Sequence, residues 1–314
     1  MSTSFAVVAA AAVLVPLGLA APAQALPVGE PPAVTWQSGA TVHTAPGGTV
    51  VLPRSVPAGA QVLGKRHGEW IVATPGDESA VLAVRGSRVR TVWQHVYDES
   101  ATSYTLVRGR DEVVEWNYRR GTTSYGVVFD LTGTELATRS WGGYADLLDA
   151  DADGVLISGR KQTVRWVPGR TPVPVAPVAT FVDVTRDLLF VLGDETVGPT
   201  SLSAPGTPAW TAPFDAEAVS PDGRWVAGVT YSARPRLEVR SLADGSLAPV
   251  RPIRVDDDQI MVGGSHVQMA WESTEALLLV VRSARGRAVL RCTVTGPCER
   301  ATSWTKGQAL SLPH

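Results

Sequence analysis

The segment Ala218-Val219-Ser220-Pro221-Asp222-Gly223-Arg224-Trp225-Val226-Ala227-Gly228 constrains the fold of this chain more than any other. Ser-Pro-Asp-Gly is a tight-turn sequence. Proline presets its own φ, aspartate bonds back to nearby backbone, and glycine accepts a positive φ. The turn feeds a short apolar strand, then a loop, then a second strand at Leu237-Glu238-Val239-Arg240-Ser241-Leu242. A small sheet unit like this cannot bury its apolar face alone, so it needs neighbours of its own kind.

Weaker echoes supply them. The run 69–73 precedes 79–84, and 105–107 with 113–116 precedes 125–130. Likewise 153–158 precedes 163–166, and 188–192 precedes 199–202. The last set is 269–271, 277–281 and 288–292. Helical periodicity is almost absent; short apolar, β-branched runs alternate with Gly, Pro, Asp and Ser clusters. Many short strands at regular spacing indicate a sandwich or a propeller. A repeat of roughly 35–50 residues selects the propeller, at one four-stranded blade per repeat. Six fairly complete repeats fit between residues 58 and 303, leaving a hairpin at 41–52 and a strand at 309–312. Pairing these two makes a composite blade and removes two exposed sheet edges. The expected fold is all-β: a propeller of seven blades, one composite and closed by the termini, in preference to six blades with loose ends.

The 218–248 repeat resembles the TolB-like, WD40-like (PD40-type) repeats of bacterial propellers. Ser220-Pro221-Asp222-Gly223-Arg224 ahead of one strand and Leu237–Ser241, Leu242-Ala243-Asp244-Gly245 after it carry the resemblance. It implies that the first group turns into the innermost strand of a blade and the second forms a hairpin. It also implies a habit of binding proteins or small ligands. Fold alone does not assign a partner.

Residues 1–25 read as a signal peptide. An apolar Ala/Val/Leu run ends in Ala23-Gln24-Ala25, a small-x-small cleavage site. The alternative, a retained anchor, fits less well because the run is short for a bilayer span and contains Pro16. No Cys follows the run, which excludes a lipoprotein anchor. The mature chain is expected to be one propeller domain, 26–314, secreted or otherwise extracytoplasmic. With a net charge of -2 it has no basic field for nucleic acid. Cys292 and Cys298, the two cysteines, flank Thr295-Gly296-Pro297 and are expected to form a disulfide across a hairpin.

Candidate chemistry is sparse. Asp149, Asp151 and Asp153, followed by Gly154, have the spacing of the first half of a calcium loop. Arg160 stands where an EF-hand needs its bidentate Glu, so the choice lies between a shortened calcium turn and a plain solvated one. Further acids cluster ahead of repeats: Asp98, Glu99, Asp146, Asp215, Glu217, Asp256, Asp257 and Asp258. Together with Asp149, Asp151 and Asp153, read as lying in the same inter-blade loops, and with Arg119, Arg120, Arg234 and Arg285, they are expected to make one charged loop face around the channel mouth, suited to a cation or a basic ligand. Ten Trp against five Phe suggests large rings packed between blades, with sugar stacking as the alternative. No Gly-x-Ser-x-Gly elbow and no metal-spaced His pair occurs. The expectation is a binding propeller without evident catalytic machinery that takes a protein or envelope component. The alternatives are a calcium-dependent hydrolase or lyase and a glycan-binding propeller.

Overall fold

In the computed structural model, residues 26–45, 47–57, 59–74, 78–96, 100–119, 123–230, 236–249, 268–306 and 310–312 are described. They form seven small antiparallel sheets. Blade 1 contains β1 (Trp36–Ser38), β2 (Thr41–Thr44) and β3 (Gly48–Val51). Blade 2 is β4 (Gln61–Arg66), β5 (Glu69–Thr74), β6 (Glu78–Arg85) and β7 (Arg88–Val96). Blade 3 is β8 (Ser100–Leu106), β9 (Glu112–Arg119), β10 (Thr123–Asp130) and β11 (Glu135–Gly142). Blade 4 is β12 (Asp146–Asp151), β13 (Gly154–Ser158), β14 (Thr163–Trp166) and β15 (Val173–Ala176). Blade 5 is β16 (Ala179–Asp183), β17 (Leu188–Leu192) and β18 (Val197–Ser201), and blade 6 is β19 (Phe214–Val219), β20 (Trp225–Thr230) and β21 (Leu237–Ser241). Blade 7 is β22 (Met269–Trp271), β23 (Ala276–Ser283), β24 (Gly286–Thr293) and β25 (Cys298–Arg300). The final strand, β26 (Leu310–Ser311), pairs with β1 and completes blade 1. The seven-bladed, composite-closed reading of the sequence is therefore the observed fold.

The first strands of neighbouring blades touch one another around the ring, which makes them the innermost strands: β4 on β8, β8 on β12, β12 on β16, β16 on β19, β19 on β22. This corrects the strand frame read from the sequence. Ser220–Arg224 and Asp153–Gly154 do not turn into innermost strands; they lead into β20 and β13, the second strands. The innermost strands lie one element earlier, in DLLDAD and FDAEAV. Interleaved acids hide their strand character.

Apolar wedges between blades make the core. Ile71, Val81, Val113 and Phe129 fill one, and Trp116, Ile157 and Trp166 fill another. All ten tryptophans are described; each is buried or half-buried and none is exposed, as blade packing requires. Bulges at Leu63, Leu148, Thr180 and Glu217 recur in four innermost strands and increase their twist. Beside the last of these, β20 must carry glycine: a Cβ on Gly228 would lie 1.9 Å from the Asp215 carbonyl oxygen. The closing seam is polar but satisfied. Buried Gln37 donates to Gly39 O (2.8 Å) and Ala60 O (2.6 Å) and accepts from Val62 N (2.9 Å).

Cys292 and Cys298 are directly opposed in the β24–β25 hairpin and form a disulfide, Cα–Cα 4.1 Å. The loop is short, so its entropic contribution sits near the bottom of the usual range, about 2 kcal/mol. Cys292→Ser is expected to lower the unfolding free energy by that amount in a denaturant titration and to leave the far-UV spectrum unchanged. Loss of the folded spectrum would contradict the placement of the bridge in a single hairpin.

No helix among the described residues is long and apolar enough to cross a membrane.

Candidate functional site

Strand direction sorts the connections to two ends. Turns between first and second strands, and between third and fourth, lie at one end; the loops between second and third strands, and between blades, lie at the other. The first end is tied to itself. His67 meets Asp111 at 2.6 Å between blades 2 and 3, and Arg108 pairs with Asp149 between blades 3 and 4. Arg186 donates to Pro221 O at 2.9 Å between blades 5 and 6, and Arg224 meets Glu275 at 2.6 Å between blades 6 and 7. At blade 7, Arg291 bonds Glu272 (2.5 Å), Glu299 (2.8 Å) and the carbonyls of Glu30 and Pro31, which clamps the incoming N-terminal segment. The exposed pairs, His67–Asp111 and Arg224–Glu275, each contribute little, about 0–1 kcal/mol. Their consequence is that the charges at this end are used internally.

The Asp149/Asp151/Asp153 motif belongs to this tied end. Asp151 Oδ1 accepts the amides of Asp153 (2.8 Å) and Gly154 (3.1 Å) and a proton of Arg165 (3.1 Å), as a turn-capping carboxylate. Asp149 takes Arg108 and the Ala150 amide, and burial holds its carboxyl above the ordinary range against the pull of Arg108. Among the described residues no group of three His, Cys, Asp or Glu side chains is assembled for a metal. The expected placement of these three acids in an inter-blade loop is corrected: Asp149 and Asp151 are on β12, and Asp153 is in the turn that follows it. Asp215 and Glu217 likewise lie on the innermost strand β19 and not in a loop. Asp98, Glu99, Asp256, Asp257, Asp258, Arg120 and Arg234 lie outside the described residues.

Glu217 is the bulged residue of β19. Burial, reinforced by Asp215, pushes its carboxyl up to about 8. An acid whose folded pKa is raised contributes stability below its usual value of 4.5, and that contribution is lost as pH rises through about 8. Glu217→Gln is therefore expected to match the parent at acidic pH and to be the more stable protein at alkaline pH. Urea midpoints measured at both extremes check this, and a constant difference between the two proteins would refute it.

At the open end, the wedge between blades 2 and 3 turns polar. Glu115 on β9 is fully buried (0% exposed). Its Oε2 accepts Trp93 Nε1 at 2.6 Å, and its Oε1 lies 3.9 Å from Nδ1 of His95, an imidazole about a third exposed. Tyr104 lies beside both Glu115 and Ser79; burial first, then the Glu115 charge, holds its phenol above the ordinary range. Ser79 is the cross-strand partner of His95. Ser, His and Glu are the residue types of a nucleophile set, but Ser79 Oγ is sealed in the interior, so no substrate carbonyl reaches it. What the group can do is hold a buried carboxylate under an imidazole that water reaches. The sequence reading missed it: Glu115 stood inside an apolar run, 113–116, with nothing to mark it as interior.

No protein-family model matches the chain, and no curated protein matches it. Solved structures do resemble it. The AfRom2 CNH domain superposes with a TM-score of 0.53 at 9% identity, over 80% of this chain and 87% of that one. BamB from Moraxella catarrhalis gives 0.48 at 14% identity, over 79% and 76%. The C-terminal WD40 domain of Sif2 gives 0.46 at 11%, over 80% and 86%. At these identities the likeness is one of fold alone: the chain is a seven-bladed β-propeller.

Proposed function

We infer that the protein is a secreted, extracytoplasmic interaction scaffold that binds an envelope component through the end carrying the inter-blade loops. The asymmetry of the two ends carries this reading. Among the described residues, charged side chains cross four successive seams at one end, whereas at the other Glu115 meets Trp93 and His95 across a single seam. Loops positioned by a rigid scaffold are where propellers and other β folds place recognition. The apolar segment before Leu26 and the disulfide support the compartment, since disulfides persist in oxidising surroundings. Kinship with TolB-like repeats belongs to the same reading and rests on the Ser220–Arg224 turn and the 237–245 hairpin alone.

Exposed apolar residues at each end provide the test. Val96 and Leu192 end strands at the loop end; Leu136 and Val173 begin strands at the tied end. Cosedimentation of the mature chain with envelope fractions of the producing cell should fall for Val96→Asp and Leu192→Asp and persist for Leu136→Asp and Val173→Asp. The reverse pattern would reject the assignment of the working face.

A further inference from the structure

We propose that Tyr144, Tyr118, Asp146 and Arg160 form a carbohydrate subsite at the loop end of the seam between blades 3 and 4, built to take a neutral pyranose ring. The inference deepens the reading above and rests on its choice of face.

The loop 143–145 joins β11 to β12 and is clamped on both sides of Tyr144. Buried Ser124 (0% exposed) donates its amide to Gly143 O at 3.1 Å, and its hydroxyl accepts the Ala145 amide at 2.8 Å. Trp116 Nε1 donates to Ala145 O at 3.0 Å. Ala145 itself is buried. Three interior groups thus spend their hydrogen bonds on this short backbone, and the result is that Tyr144 stands outward, 48% exposed. Water-exposed aromatic area on a rigid loop adds nothing to the core. It is preorganised contact area, which lowers the entropic cost of binding.

Tyr118 packs edge-on against Tyr144, with centroids 4.9 Å apart and planes at 74°, and keeps the outer ring upright. The Tyr144 hydroxyl is bonded to Asp146; burial first, then this carboxylate, pushes it up to about 12. Arg160, on the loop between β13 and β14, lies against Gly143: a Cβ there would come within 2.9 Å of its Nε. Glycine at 143, at φ +91°, is what lets the guanidinium lie against the backbone. Arg160 is exposed and makes no ion pair with a described residue.

These features select one ligand chemistry. An upright ring offers a π-face to C–H groups. Asp146 supplies acceptors and Arg160 supplies donors on either side, as adjacent hydroxyls require. Their charges cancel, which disfavours the cation that two tyrosines alone would attract. A protein partner needs about 800 Å² per side. Among the described residues, the other exposed large apolar side chains at this end, Val51, Val96 and Leu192, sit on separate blades and do not extend the patch.

The mature chain would be titrated with soluble neutral hexasaccharides of glucose, mannose, galactose and N-acetylglucosamine, read by calorimetry and saturation-transfer NMR. At least one should bind and transfer saturation from tyrosine protons. Tyr144→Ala should weaken it about tenfold or more. Arg160→Ala should weaken it too, and Leu136→Ala at the tied end should not. Unchanged near-UV spectra establish that the exposed substitutions leave the fold intact. Failure of every saccharide to bind, or binding indifferent to Tyr144→Ala, overturns the subsite. Envelope cosedimentation that survives Tyr144→Ala but not Val96→Asp would overturn it while leaving the working face in place.

Discussion

A chain ending at Lys306 is expected to lose its folded state at room temperature. Leu310 and Leu312 are both buried, and with Trp36, Leu278, Val289 and Ala301 they form the wedge between blades 7 and 1. Burying a leucine contributes about 1.5–3 kcal/mol, and removing one with its cavity costs about 2–5 kcal/mol. Two such losses rival the about 5–15 kcal/mol by which domains are folded at all. The deletion also strips β1 of its partner at Gln37 and Ser38, leaves Gln37 without the Ser311 hydroxyl, and opens the ring. Leu312→Ala keeps the strand and should cost about 2–5 kcal/mol in the same urea titration. A truncated chain with the parent's midpoint would show that blade 1 does not depend on the C-terminal strand.

The second large effect is at Glu115. Glu115→Ala is expected to cost about 3–5 kcal/mol, because it strands the groups built around a buried carboxylate. Trp93 Nε1 loses its acceptor, and Tyr104 and His95 lose the charge they face. Calorimetry should show the melting temperature lower by roughly 5–15 °C, given the usual shift of a few degrees per kcal/mol in a chain of this size. Glu115→Gln keeps an acceptor for Trp93 and should recover part of the loss. If Ala and Gln variants melt together, the hydrogen bond to Trp93 does not carry the effect. If both match the parent, the polar wedge is not structural.

The two residues show what could and could not be read from the sequence. Leu310 and Leu312 were legible because an orphan strand and an orphan hairpin at opposite ends of a repeat array need each other. The Cys292–Cys298 bridge was legible for a similarly local reason: turn residues between two cysteines place them opposite one another. Glu115 was not legible, since a buried acid in a second strand depends on His95, Trp93 and Tyr104 arriving from two other strands. The strand frame slipped by one element for a related reason. Innermost strands such as Asp146–Asp151 and Phe214–Val219 carry acids among small residues and look like loops, whereas the second strands are continuous apolar runs. That slip put Asp149, Asp151 and Asp153 on the wrong end of the molecule. Tyr144 is not legible in the sequence, since a lone tyrosine between two strands carries no mark of exposure; the clamp by Ser124 and Trp116 enforces it.

The claim that one end of the propeller works while the other holds it together is tested most directly by hydrogen exchange of the mature chain with and without isolated envelope material. The account predicts slowed exchange at the loop-end amides of Val96, Tyr144 and Leu192, and no change at the turns containing His67, Asp153 and Arg224. Protection confined to those turns would contradict it.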